Sequence, residues 1–139
     1  MEDTSEYSGE MRTLDIFAEN NLNFDVKCSI IAYFDTYLGK GGYSEGSSDI
    51  KKEEKEKIVY FDLDDLESYK DNDTLNLSKV FNDFLYDKHF VITSLSGDTL
   101  ANWTDSSAVF DPKYWFIEPL NDGDINCTLQ LTDAVLELK

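Results

Sequence analysis

Carboxylates placed close together are the first side chains here with chemistry to offer. The run Asp62-Leu63-Asp64-Asp65-Leu66-Glu67 sets four acids within six residues, and carboxylate oxygens are the ligands that hard cations such as Mg²⁺ and Ca²⁺ take. The run lacks the glycine and closing glutamate of a calcium-binding loop in register. Acids also make up about a fifth of the chain, so short clusters of them arise from composition alone. Asp122-Gly123-Asp124 reads as the turn of a hairpin. No spacing of His and Cys suggests zinc. Nucleophilic catalysis of the Ser-His or Cys-His kind needs an imidazole to take the proton, and the only histidine is His89, expected at a helix end where it would interact with terminal carbonyls. The glycines of residues 39–48 do not form a phosphate cradle, because no Gly-Lys-Ser/Thr ending leads into a helix. The chain is therefore expected to have no catalytic residue, no metal and no cofactor, and not to be an enzyme.

The elements that must position these residues follow from periodicity. Leu22, Phe24, Val26, Cys28 and Ile30 alternate with polar residues, the period of a strand with one buried face, and the strand is expected to run to about Leu38. Residues 39–50, rich in Gly and Ser, are expected to be a flexible loop, and residues 1–10 a frayed acidic tail. Ile58-Val59-Tyr60-Phe61 reads as a second strand. Between Thr74 and His89, the residues Leu77, Val80, Phe81, Phe84 and Leu85 recur at three- and four-residue intervals, predicting an amphipathic helix. Strands are then expected at Phe90-Val91-Ile92 and across residues 113–138, the latter as a hairpin with a break near Asp133. With no repeat or linker, the expectation is one α+β domain over residues 1–139: an antiparallel β-sheet with one main amphipathic helix packed on a face, or alternatively a β-sandwich with a helical insertion. Cys28 and Cys127 fall in alternating apolar patterns and are expected to be small buried core residues.

The extreme property of the chain is its charge. In 139 residues there are 29 acidic and 12 basic side chains, a formal net charge of −17. Magnitudes of about 2 to 8 suffice to keep a small domain soluble, so the excess asks for a further use. Such a field repels nucleic acid and anionic membranes and speeds encounter with basic proteins. The acidic start, Met1-Glu2-Asp3-Thr4-Ser5-Glu6, lacks the basic and apolar regions of a secretory signal, predicting a cytoplasmic protein, and no apolar run reaches the roughly 20 residues of a membrane helix.

Carboxylates two apart on a strand lie about 6.6 Å from each other, and one turn apart on a helix about 6 Å, close to the spacing of neighbouring phosphates. Asp62/Asp64, Asp83/Asp87 and, if extended, Asp122/Asp124 have such spacings. Together with Asp65 and Glu67 they are the candidate partner-binding residues. Tyr60, Tyr69, Tyr86, Trp103, Tyr114 and Trp115 are candidate aromatic anchors, most of them expected in the core. In size and charge alone the chain resembles small acidic inhibitors, such as the anti-restriction and anti-CRISPR proteins of phages and the immunity proteins of nuclease toxins. That likeness implies a basic nucleic-acid-handling protein as partner, blocked by occupation of its nucleic-acid groove. The alternative is a structural or adaptor subunit that is acidic only for solubility.

Overall fold

The computed structural model describes residues 12–36, 39–72 and 74–139. The expected tail and the expected strand end at Leu38 lie outside them. Ten strands run along the chain: β1 (Thr13–Asn20), β2 (Val26–Asp35), β3 (Gly41–Ile50), β4 (Lys55–Asp62), β5 (Lys70–Asp71), β6 (Thr74–Leu75), β7 (Tyr86–Ser94), β8 (Thr99–Trp103), β9 (Trp115–Pro119) and β10 (Ile125–Leu131). Sheet I has the order β4-β1-β10-β9 and sheet II the order β3-β2-β7-β8, while β5 and β6 form a two-residue ladder.

The α+β expectation is thus corrected to a mostly β fold of two sheets. The main helix is half as long as expected: one α-turn, Leu77–Lys79, widening into a π-turn, Val80–Phe84. The 3.6-residue pattern there is real, since Leu77, Val80, Phe81 and Phe84 are buried. What ends the helix is strand pairing, because Tyr86 onward enters β7 between β2 and β8. His89 consequently lies in an exposed position of β7 and not at a helix end. Nor is the pairing all antiparallel. β1 and β10 run parallel, with Leu14 opposite Ile125 and Asn20 opposite Leu131.

A second correction concerns residues 39–50. Gly41–Ile50 form the edge strand β3, paired with β2 along its whole length from Asp35↔Gly41 to Val26↔Ile50. Gly and Ser give this segment little β-propensity, but a ten-residue partner with a buried alternating face overrides it. Its glycine at position 46 has a steric reason. A Cβ there would collide with the carbonyl oxygen of Ile58, because β3 passes directly over β4 where the two sheets meet. Ser44 Oγ donates to the Tyr60 carbonyl at the same crossing.

Asn20, fully buried, fastens the corner. Its amide donates to the carbonyls of Phe24 at 2.9 Å and Ile50 at 3.0 Å, and its Oδ1 accepts from the Leu22 N–H at 2.9 Å. A buried amide satisfied this way holds the bend between β1 and β2 against the end of β3.

The buried side chains of both sheets form one cluster. Phe84 stacks on Phe34 of β2 and meets Phe61 of β4 edge-on, while Phe81 contacts Phe110 and Trp115. Trp103 and Trp115, both buried, donate their indole N–H to the carbonyls of Leu138 and Val109, the satisfaction that a buried Trp requires. Cys28 and Cys127 are buried free thiols, and burial pushes each up to about 12. The expected hairpin is present as β9 and β10, and the expected break after it is a short helix, Asp133–Leu136.

Candidate functional site

The candidate acids separate into two groups once their local structure is known. Asp62 ends β4 and caps a 3₁₀ helix, Leu63–Tyr69, where its Oδ1 accepts the Asp64 N–H at 2.9 Å. Asp122 does the same for the Asp124 N–H at 2.9 Å in the β9–β10 turn, and Asp124 Oδ1 accepts the Thr13 N–H at 3.0 Å, closing the start of β1. These three carboxylates are engaged in holding backbone, which is the usual work of Asp at caps and turns.

The regular strand and helix geometries behind the phosphate-like spacings of Asp62/Asp64 and Asp83/Asp87 are not formed. Asp64 lies in a 3₁₀ turn and not on a strand. Asp83 lies in the π-turn, whereas Asp87 lies in β7 with φ 52°, so the pair is not one helical turn apart. Asp87 forms part of a bulge, since Ile31 pairs with His89 but Tyr33 pairs with Tyr86. Its N–H donates to Asp105 Oδ2, and its carboxylate stands 3.3 Å from His89 Nε2.

A different set of acids does converge. Asp35, at the end of β2, joins Asp64, Asp65, Glu67 and Tyr69 around an open concavity of about 440 Å³ that, among the described residues, no lysine or arginine lines. Glu67 is reached from outside that lining by Lys70 at 3.3 Å. The 3₁₀ geometry is what brings these acids round. Leu63 and Leu66 are buried at its base, which leaves Asp64 exposed and Asp65 half-buried.

Asp35 also belongs to the outer face of sheet II. The inner face of β2 is Val26, Cys28, Ile30, Ala32 and Phe34, so Ser29, Ile31, Tyr33 and Asp35 face outward by alternation. Across this face Tyr43 of β3, Tyr33 of β2 and Tyr86 of β7 stand in one row: ring centroids are 5.7 Å apart for Tyr33–Tyr43 and 6.4 Å for Tyr33–Tyr86, the latter stacked. Tyr43 and Tyr86 are 59% and 45% exposed, unusual for large rings that touch one another. Tyr86 donates its hydroxyl to Asp35 Oδ1 at 3.3 Å, joining the row to the acidic concavity. Desolvation, followed by the charge and hydrogen bond of Asp35, raises the Tyr86 phenol above the ordinary tyrosine range. Beyond the row, Ile31, Glu45, His89 and Val91 line a shallow depression of about 240 Å³.

Of the expected aromatic anchors, Tyr60 and Tyr86 are exposed, Tyr69 and Tyr114 are partly buried, and both tryptophans are core. Tyr33, Tyr43, Asp35 and Glu45 were missed. The signal for them was the outward half of the β2 alternation, together with the recognition, not available from propensity, that Gly41–Ile50 pairs with it.

One buried charge lies apart from this face. Lys88 is 4% exposed, its Nζ 3.3 Å from Asp105 Oδ1 and 4.8 Å from the centre of the Phe110 ring. Among the described residues no group of three or more His, Cys, Asp or Glu side chains is arranged to hold a metal ion, and no helix is long and apolar enough to cross a membrane. Comparison with protein-family models, with curated proteins and with solved structures finds no match to this chain.

Proposed function

We propose that this protein is a non-enzymatic acidic binding protein of the cytoplasm that inhibits a basic nucleic-acid-handling protein by occupying its nucleic-acid groove. The observation that supports it best is the convergence of Asp35, Asp64, Asp65 and Glu67, from two separate elements, on one concavity with no lysine or arginine among the described residues of its lining. The aromatic row beside it supplies the large, conformationally stiff side chains that anchor interfaces, and the net charge of −17 supplies the steering. Carboxylates gathered this way suit ammonium and guanidinium groups that otherwise meet phosphates. Direct binding of nucleic acid or an anionic membrane is disfavoured by the same charge.

The test is capture of partners from a bacterial lysate at low ionic strength, elution with rising salt, and a nucleic-acid-binding assay on what is released. A basic protein released at moderate salt, whose nucleic-acid binding this chain then blocks, is the expected result. Retention of a neutral protein at high salt, or self-association alone, would replace it with a structural-subunit role, since charge-driven contacts weaken with screening.

A further inference from the structure

We propose that the outer face of sheet II is an arginine-recognition surface: guanidinium groups of the basic partner stack on the row Tyr43–Tyr33–Tyr86 and pair with Asp35, Glu45 and Asp87 around it. The inference rests on the inhibitor function proposed above and deepens it by naming the side chain that is bound. Three observations carry it.

The rings form a contiguous row with centroids 5.7 and 6.4 Å apart, tilted by 38° and 27° to one another, and the two outer ones are about half exposed. Four other rings carry one of the chain's own cations: Lys55 lies over Phe17, Lys57 over Tyr60, Lys88 over Phe110 and Lys113 over Tyr114. Among the described residues no such cation lies over Tyr33, Tyr43 or Tyr86. The row is therefore aromatic surface in an acidic protein to which the described residues supply no cation.

The second observation is where the acids stand. Asp35 follows Tyr33 by two residues on β2, and Glu45 follows Tyr43 by two on β3, so each carboxylate lies on the face of the row and about 6.6 Å along the strand from a ring. Asp87 is adjacent to Tyr86, turned by its positive φ at the bulge, with its carboxylate beside His89, whose own pairing with Ile31 places it on this face.

The third is chemical. A planar guanidinium can stack on a tyrosine and at the same time present its edge to a carboxylate, whereas an ammonium is a strongly hydrated point charge without a stacking face. Tyrosine rows bracketed by carboxylates thus favour arginine over lysine, while a purely acidic surface hardly distinguishes them.

The probe is a pair of capped peptides, hexa-arginine and hexa-lysine, titrated into the ¹⁵N-labelled full chain at low salt and followed by amide shifts and calorimetry. The expected result is at least fivefold tighter binding of hexa-arginine, with the largest shifts on β2, β3 and β7. Tyr43→Leu, at the most exposed ring, should reduce that preference to less than twofold and leave hexa-lysine affinity unchanged. Tyr33→Leu repeats the test at the centre of the row. Equal affinity for the two peptides, or an arginine preference untouched by either substitution in a folded variant, would overturn the inference. Equal peptide affinities alongside salt-sensitive blocking of a captured partner would remove arginine recognition and leave the inhibitor role standing. Arginine preference without any blocking of nucleic-acid binding would do the reverse.

Discussion

Asp62, Asp122 and Asp124, at one end of sheet I, each accept a backbone N–H within 3.0 Å. Asp64 and Asp35 lie on the acidic concavity beside sheet II; there, among the described residues, Asp35 meets a long, exposed hydrogen bond from Tyr86. The same residue type is structural in the first place and left facing solvent in the second. Aspartates in turns have a mechanical reason to be there, so their number overstates how much charge is free to meet a partner. Asp35 and Asp64 have less of that reason, and it is their surroundings that point outward.

The largest effect tests the crossing on which the second region depends. Gly46→Ala places a methyl group against the Ile58 carbonyl where β3 passes β4. It should destabilise by about 3 kcal/mol in urea unfolding, at the upper end for overpacking. A variant as stable as the parent would mean that β3, with Tyr43 and Glu45, is not held as described.

Asp105→Ala comes next. It leaves the Lys88 ammonium, 4% exposed, without its carboxylate and also removes the acceptor for two backbone N–H groups. A loss of about 1–3 kcal/mol is expected by chemical denaturation, because Asp105 itself is half exposed and water can partly replace it.

A matched pair then addresses the contrast directly. Asp62→Ala removes a helix cap and should cost about 1 kcal/mol, whereas Asp64→Ala should change stability by no more than about 0.5 kcal/mol while weakening capture of a basic partner. Equal stability losses would erase the distinction between the two regions.

The smallest effect is read with pH. Desolvation acts to raise the Asp105 carboxyl, but hydrogen bonds from the Lys88 N–H and Nζ, its charge and the Asp87 N–H outweigh this and hold it below the usual carboxylate range. Asp71 is lowered as well, first by the hydrogen bond from Asn76 and then by Lys79. A depressed carboxyl contributes stability above its unfolded pKa, about 4, and loses it as pH falls through the lower folded value. The stability difference between the parent and Asp105→Ala should therefore be constant from pH 7 to about 5 and shrink below about 4. Melts of both proteins across that range would show it, and a difference that grew on acidification would contradict the pairing.

How far the sequence reveals these regions can be judged strand by strand. β2, β4 and the β9–β10 hairpin are legible because an alternating face or a turn signal is local to each. β3 is not, because its Gly and Ser residues acquire strand geometry only from β2, and the steric need at Gly46 comes from Ile58 on the strand it crosses. The helical pattern at residues 77–85 identifies the buried side chains correctly but not the helix length, which the pairing of β7 sets. For the candidate site, Asp64, Asp65, Glu67 and Tyr86 are found from composition and cluster. Asp35, Glu45, Tyr33 and Tyr43 emerge only when β3 is seen to pair with its neighbour β2 and the distant β7 is laid on the other side.

The parallel ladder of β1 and β10 has a consequence in time. Thr13 and Asp124, bonded at its start, are separated by 111 residues along the chain. β2 and β3, like β7 and β8, are joined by short turns and can begin to pair as soon as they are made. Closing a loop of this length costs conformational entropy before any contact repays it, and non-local pairings of that kind place folding in the millisecond-to-second range. The β1–β10 ladder of sheet I is thus the strand pairing for which a growing chain waits longest. A growing chain can display its tyrosine-bearing strands before the sheet behind them is complete.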